Sequence, residues 1–144
     1  MRRNNRKLSV LSELSDFFRD LSFISGTSSL NIIECISLAG KKLSFVDEIT
    51  DKYEYGCNIK ELWKNVVSAS REIYLIDKPH REIIMSFPEM LGKCDKDEFC
   101  KKCIQYSDKL KGIYDEEKQK SEKSKALTVA SGFLAAAAMF IILI

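Results

Sequence analysis

The sequence is poor in the residues that build turns and reactive sites. Among 144 residues there are 6 glycines and 2 prolines, too few for a many-turned all-β chain or a loop-rich one. His80 is the only histidine, and no nucleophile in the sequence is spaced to pair with it as a general base. Neither GxxxxGK[ST] nor GxGxxG occurs, so the chain has no phosphate cradle of its own. Charge of one sign is also missing. With 23 Lys and Arg against 21 Asp and Glu, the net charge is +2, which removes the usual electrostatic case for binding nucleic acid. Five cysteines, an odd number without a secretory signal, read as reduced cytosolic thiols.

What is present is apolar and helical. Hydrophobic residues make up 45% and charged residues 31%, far from a disordered composition. Residues 126–144, ALTVASGFLAAAAMFIILI, carry no charged side chain. A helix of that length would rise roughly 28 Å, enough to span a hydrocarbon core. A buried soluble helix would normally keep a polar face over five turns. Lys118, Lys120, Lys123 and Lys125 crowd the near flank, and no charged side chain follows. By the positive-inside rule, residues 1–125 are expected on the cytoplasmic side. Charge is uneven at the other end as well. Arg2, Arg3, Arg6 and Lys7 precede the first acidic residue, Glu13, so residues 1–7 form a basic N-terminal tail of charge +4.

Between these ends, apolar spacing predicts helices and no strand. Leu8, Leu11, Leu14, Phe17, Phe18, Leu21 and Ile24 recur at threes and fours, an amphipathic helix expected to stop at Gly26. Ser29 or Asn31 is positioned to cap a shorter helix carrying Leu30, Ile33 and Leu38. A third piece, near Phe45 to Tyr55, stops at Gly56. Asn58 is the expected cap of a helix burying Ile59, Leu62, Trp63, Val66, Ile73 and Tyr74. Pro79 opens another helix that runs to Leu91-Gly92. From Asp95 a last helix begins, with Phe99, Cys103, Tyr106, Leu110 and Ile113 as a heptad-like seam. Asp115 to Lys125 continues as a charged stalk without an apolar stripe. The expected fold is all-α: an antiparallel bundle of about six helices over residues 8–114, a stalk over 115–125, and a transmembrane helix over 126–144.

Chemistry-bearing residues have bland explanations. His80 follows Pro79 in a helix start and is expected to be exposed. Cys94, Cys100 and Cys103 contain a CxxC, but a zinc site needs a fourth ligand and Cys103 falls on the apolar seam. No catalytic residue, cofactor or metal is expected.

One resemblance is specific. The run Phe87-Pro88-Glu89-Met90-Leu91-Gly92-Lys93-Cys94-Asp95, then Phe99 and Cys103-Ile104, a charged helix through Lys123, and an apolar tail ending Ile-Ile-Leu-Ile resembles the stage III sporulation protein AB family. Leu91, Gly92 and Asp95 occupy its Leu-Gly-x-x-Asp positions, Lys123 or Lys125 its membrane-flanking lysine, and Gly132 its glycine in the terminal segment. The first helix is similar more loosely, and the whole resemblance covers roughly residues 6 to 144. The family normally begins with an apolar membrane segment, whereas this sequence opens at Met1-Arg2-Arg3, with the basic cluster Arg2 to Lys7 that is expected just inside a membrane, so the upstream anchor is either absent or left out of this sequence. The resemblance implies an endospore-forming bacterium and a platform in the mother-cell membrane. There the family joins the stage III sporulation channel complex and would dock its ATPase, stage III sporulation protein AA. The soluble bundle would be similar to a cytoplasmic domain of type II secretion and type IV pilus platform proteins, a fold-level analogy. The competing reading is a generic tail-anchored adaptor, or a membrane oligomeriser in which Ser131 and Ala135 to Ala138 allow close helix packing and self-association.

Overall fold

The computed structural model describes the backbone of residues 2–143 and the side chains of residues 4–126. Those residues form seven α-helices and one 3₁₀ turn, with no strand among them. In order they are α1 (Arg2–Thr27), α2 (Ile32–Ala39), α3 (Ser44–Lys52), α4 (Ile59–Ala69), α5 (Arg71–Tyr74), α6 (Lys78–Ser86), the 3₁₀ turn (Phe87–Met90) and α7 (Lys96–Leu143). The all-α expectation is met. Among the described residues no helix is long and apolar enough to cross a membrane. The segment expected to span, 126–144, lies outside the residues with described side chains, apart from Ala126.

The frame is an antiparallel pair, α1 against α7. Lys7 reaches Glu117, Ser15 meets Ser107, Ser22 meets Cys100, and Ser28 meets Lys96. As α1 advances, its partner on α7 retreats. The seam is the one the spacing implies, since Leu11, Leu14, Phe18 and Leu21 of α1 and Cys103 and Leu110 of α7 are fully buried. Helix α1 starts at Arg2, so the backbone of residues 2–7 is helical, where a tail was expected. Gly26 does not stop it. The glycine does not adopt the positive φ of a helix-ending glycine, and α1 passes through it to Thr27.

Helices α2 to α6 wrap this pair, and their ends follow local chemistry. Asn31 caps α2 by accepting the Glu34 N–H at 2.9 Å, and its side-chain amide donates to the Glu34 carboxylate. Asn58 caps α4 through the Lys60 and Glu61 N–H groups. The single helix expected after Asn58 is in fact two. Ser70 is buried between α4 and α5, with its Oγ accepting the Ile73 N–H. The break swings Tyr74 outward, so it is exposed rather than core, as are Leu30 and Leu38.

The helix expected to run from Pro79 to Leu91 also breaks, after Ser86. Pro88 has no N–H to give the carbonyl four residues back, Ile84. That carbonyl instead accepts the Phe87 N–H and, at 2.9 Å, the indole N–H of Trp63. Trp63 is fully buried, with ring centroids 4.7 Å from Phe87 and 5.7 Å from Phe45. The chain break and the centre of the core are one arrangement.

Candidate functional site

The Leu-Gly-x-x-Asp residues build a corner between the 3₁₀ turn and α7. Leu91 adopts φ −68° and ψ 126°, Gly92 has φ +80°, and the Lys93 N–H donates to the Met90 carbonyl at 3.3 Å. This is a type II turn, whose third position requires positive φ and so favours glycine. Nothing lies within 4 Å of where a Gly92 Cβ would be, so the demand is conformational only. Gly92 therefore does not close a helix ending at Leu91. The 3₁₀ turn has already stopped at Met90, and Gly92 reverses the chain beyond it. Asp95 caps α7, its Oδ1 accepting the Glu98 N–H at 2.8 Å. Leu91 packs against the core.

This corner forms one wall of an open cleft of about 420 Å³. The other walls are the loop between α1 and α2, with Ser28 and Leu30, and the first turn of α2, with Ile32 and Cys35. Lys96 Nζ donates to the Ser28 carbonyl at 3.3 Å and ties the two sides together. The cleft's apolar lining includes Ile32 and Phe99, and its polar lining is serine hydroxyls, the Asp95 carboxylate and the Lys96 ammonium. Such a lining suits docking a side chain, and it contains no base paired with a nucleophile. Lys123 and Lys125 are exposed on α7 far from this corner. Ala126 lies about 45 Å from Asp95 along the helix, at 1.5 Å per residue. The signature residues thus occupy two places: Leu91, Gly92 and Asp95 together at the start of α7, the lysines near its apolar end.

The cysteines point in different directions. Cys103 is fully buried, and burial, reinforced by Cys100 and Cys94, pushes its thiol up to about 12, so it stays a packing thiol. Cys100 donates to the Ser22 carbonyl at 3.3 Å, while Cys94 accepts from Lys102 Nζ at 3.3 Å. Among the described residues, no group of three His, Cys, Asp or Glu side chains is arranged to hold a metal ion. His80 is half-buried rather than exposed, and its Nδ1 has no hydrogen-bond partner among the described residues.

Several polar contacts are invisible in linear order. Lys7 bridges Asp77 at 3.1 Å and Glu117 at 3.3 Å. Ser15 donates to the Ser107 carbonyl at 2.9 Å and Ser107 donates back to the Ser15 carbonyl at 2.8 Å. Arg81 stacks 4.5 Å over Tyr74. The residues are 70 and 92 positions apart in the first two cases, and only the antiparallel placement of α1 could have announced them.

No curated protein and no solved structure matches the chain. A family model does, the one described as stage III sporulation protein AB, over residues 30–144. The match takes in the corner, the cleft's α2 wall and all of α7, and leaves α1 outside it. With most of its length so matched, the chain belongs to the stage III sporulation protein AB family.

Proposed function

We propose that this sporulation protein is a non-enzymatic platform of the stage III channel complex. It is held in the mother-cell membrane by residues 126–144, with its helical bundle docking the complex's cytoplasmic ATPase, stage III sporulation protein AA. The observation that carries this reading is the separation of roles along α7. A partly apolar cleft built from the family's Leu-Gly-x-x-Asp corner stands at one end of a continuous helix, and the uncharged residues 126–143 form the other. An ATPase that turns over needs a fixed part to react against, and a bundle on a rigid stem supplies one.

Binding energy concentrates on a few apolar anchors in pockets. The cleft offers such a pocket, whereas exposed Glu116, Lys118 and Lys120 on the stalk do not. The test is a pull-down of the ATPase by the full chain and by Leu30→Asp, at the partly exposed rim of the cleft. The variant should keep its helical content and lose more than about fivefold in affinity, the effect of removing one interface anchor. Undiminished binding would remove the cleft from the docking surface. Deleting 126–144 should leave ATPase binding in solution and block spore formation in cells. Sporulation that survives the deletion would favour a plain adaptor.

A further inference from the structure

The antiparallel frame brings together two basic clusters that lie at opposite ends of the sequence. Lys7 of α1 contacts Glu117 of α7, and the small cleft beyond them is lined by Asn4 from one helix and Lys120 and Ser121 from the other. Beyond that contact α1 contributes Arg6, exposed, and the helical positions Arg2 and Arg3. Across from them α7 contributes Lys118, Lys120, Lys123 and Lys125, all exposed. The only acidic residue in residues 1–6 or 118–125 is Glu122. Just above the patch lie Asp77 and the run Asp115-Glu116-Glu117, of which Asp77 and Glu117 are engaged by Lys7. The N-terminal end of α1, with its partial positive charge, faces the same way.

We infer that this two-helix basic collar is a docking surface for the anionic headgroups of a lipid bilayer. The inference rests on the membrane reading of residues 126–144 above, because the collar adjoins that stretch on the same helix. A Lys or Arg held near an anionic surface contributes about 1 kcal/mol, a factor of about five in partitioning. Spread over roughly 10 Å of the α7 axis and the facing end of α1, several such charges make the bundle end select anionic lipid. Tying α1 to α7 matters, since three of the seven collar residues, Arg2, Arg3 and Arg6, come from α1.

The experiment reconstitutes the full chain into vesicles of phosphatidylcholine alone and of phosphatidylcholine mixed with phosphatidylglycerol. Retention in the neutral vesicles through an alkaline wash reports the anchor. The ratio of the two lipids extracted with the protein from mixed vesicles reports the collar. The expected result is a several-fold enrichment of phosphatidylglycerol that collapses at high salt. It should also collapse in the exposed-surface variant Arg6→Gln/Lys118→Gln/Lys120→Gln/Lys123→Gln. A chain retained in neutral vesicles but showing no enrichment, or the same enrichment in the variant, overturns the collar and leaves the anchor standing. Salt-sensitive capture by mixed vesicles without retention in neutral ones overturns the anchor and supports the collar. Duplex DNA that displaces the bound phosphatidylglycerol at equal charge concentration would overturn the lipid assignment in favour of a general polyanion surface.

Discussion

The aromatic centre and the α1–α7 pair solve the same problem by opposite means. Around Trp63 the structure buries large rings: Phe17, Phe18, Phe45 and Phe87 are all within 1% of full burial. Ring packing adds specific geometry to a large apolar area, but apart from the Trp63 indole it holds no donor that must find one acceptor. Along α1 and α7, small hydroxyls and thiols alternate with leucines. Ser15 and Ser107 exchange hydrogen bonds reciprocally, and Ser22 and Cys100 do so one register point further on. A slip of one residue would leave buried hydroxyls unpaired at both points, at a cost of ~1–3 kcal/mol for each group. The centre buries the largest side chains, and the pair supplies the register that places the cleft and the collar at opposite ends.

The sharpest way to break that division is to empty the centre. Trp63→Ala removes a fully buried side chain and the indole donor to Ile84. Chemical denaturation followed by far-ultraviolet circular dichroism should show a loss of about 3–5 kcal/mol. Fluorescence cannot serve, because Trp63 is the only tryptophan. Gly40→Ala comes next. A Cβ there would lie 2.6 Å from the Cβ of Val46, itself fully buried. Overpacking of this kind costs ~1–3 kcal/mol, and adding Val46→Ala should recover part of it. Strict additivity of those two changes would show that the clash is not the cause.

How much of this was readable in advance depends on how local each cause is. Asn31, Asn58 and Asp95 cap the helices that follow them, because a cap acts within three residues of itself. Gly92 was recognised, but its turn type depends on where the preceding helix stops, and that is decided by Pro88 and by the Trp63 donor from another helix. The break at Ser70 left no mark in the apolar spacing, which runs on through Val66, Ile73 and Tyr74. It exists because α5 packs on α1 and α6 rather than continuing α4. Of the candidate site, the corner was legible as a motif. The cleft was not, since its opposite wall comes from Ser28, 68 positions from Lys96.

The register side of the comparison is tested by smaller losses. Ser107→Ala leaves the Ser15 hydroxyl its bond to the residue-107 carbonyl but removes the donor to the Ser15 carbonyl. About 1 kcal/mol should be lost. Pairing it with Ser15→Ala should cost less than the sum of the two single changes, because each removes part of one shared network. Asp95→Ala should also cost about 1 kcal/mol, as cap losses do. If Asp95→Ala leaves stability unchanged yet abolishes sporulation, the residue is a partner contact and the corner is not purely structural.

The smallest effect expected is at Lys7, where the frame meets the start of α6. The hydrogen bond from Lys7 holds the Asp77 carboxyl below its ordinary range, partly opposed by desolvation and assisted by the lysine's charge. A depressed folded-state value means the folded protein binds this proton more weakly than the unfolded chain does. The contribution is therefore fully present above the ordinary carboxyl value of 3.8 and is lost as pH falls below it through the folded value. Asp77 is more than half exposed, so solvent screens the pair and the whole contribution stays under about 1 kcal/mol. Asp77→Asn should flatten the acid limb of the stability profile below pH 4 and leave neutral stability almost unchanged. Because Lys7 also holds Glu117 at 3.3 Å, Lys7→Met should cost more than Asp77→Asn. Equal losses would mean that the α7 contact contributes nothing, and that the serines alone set the register.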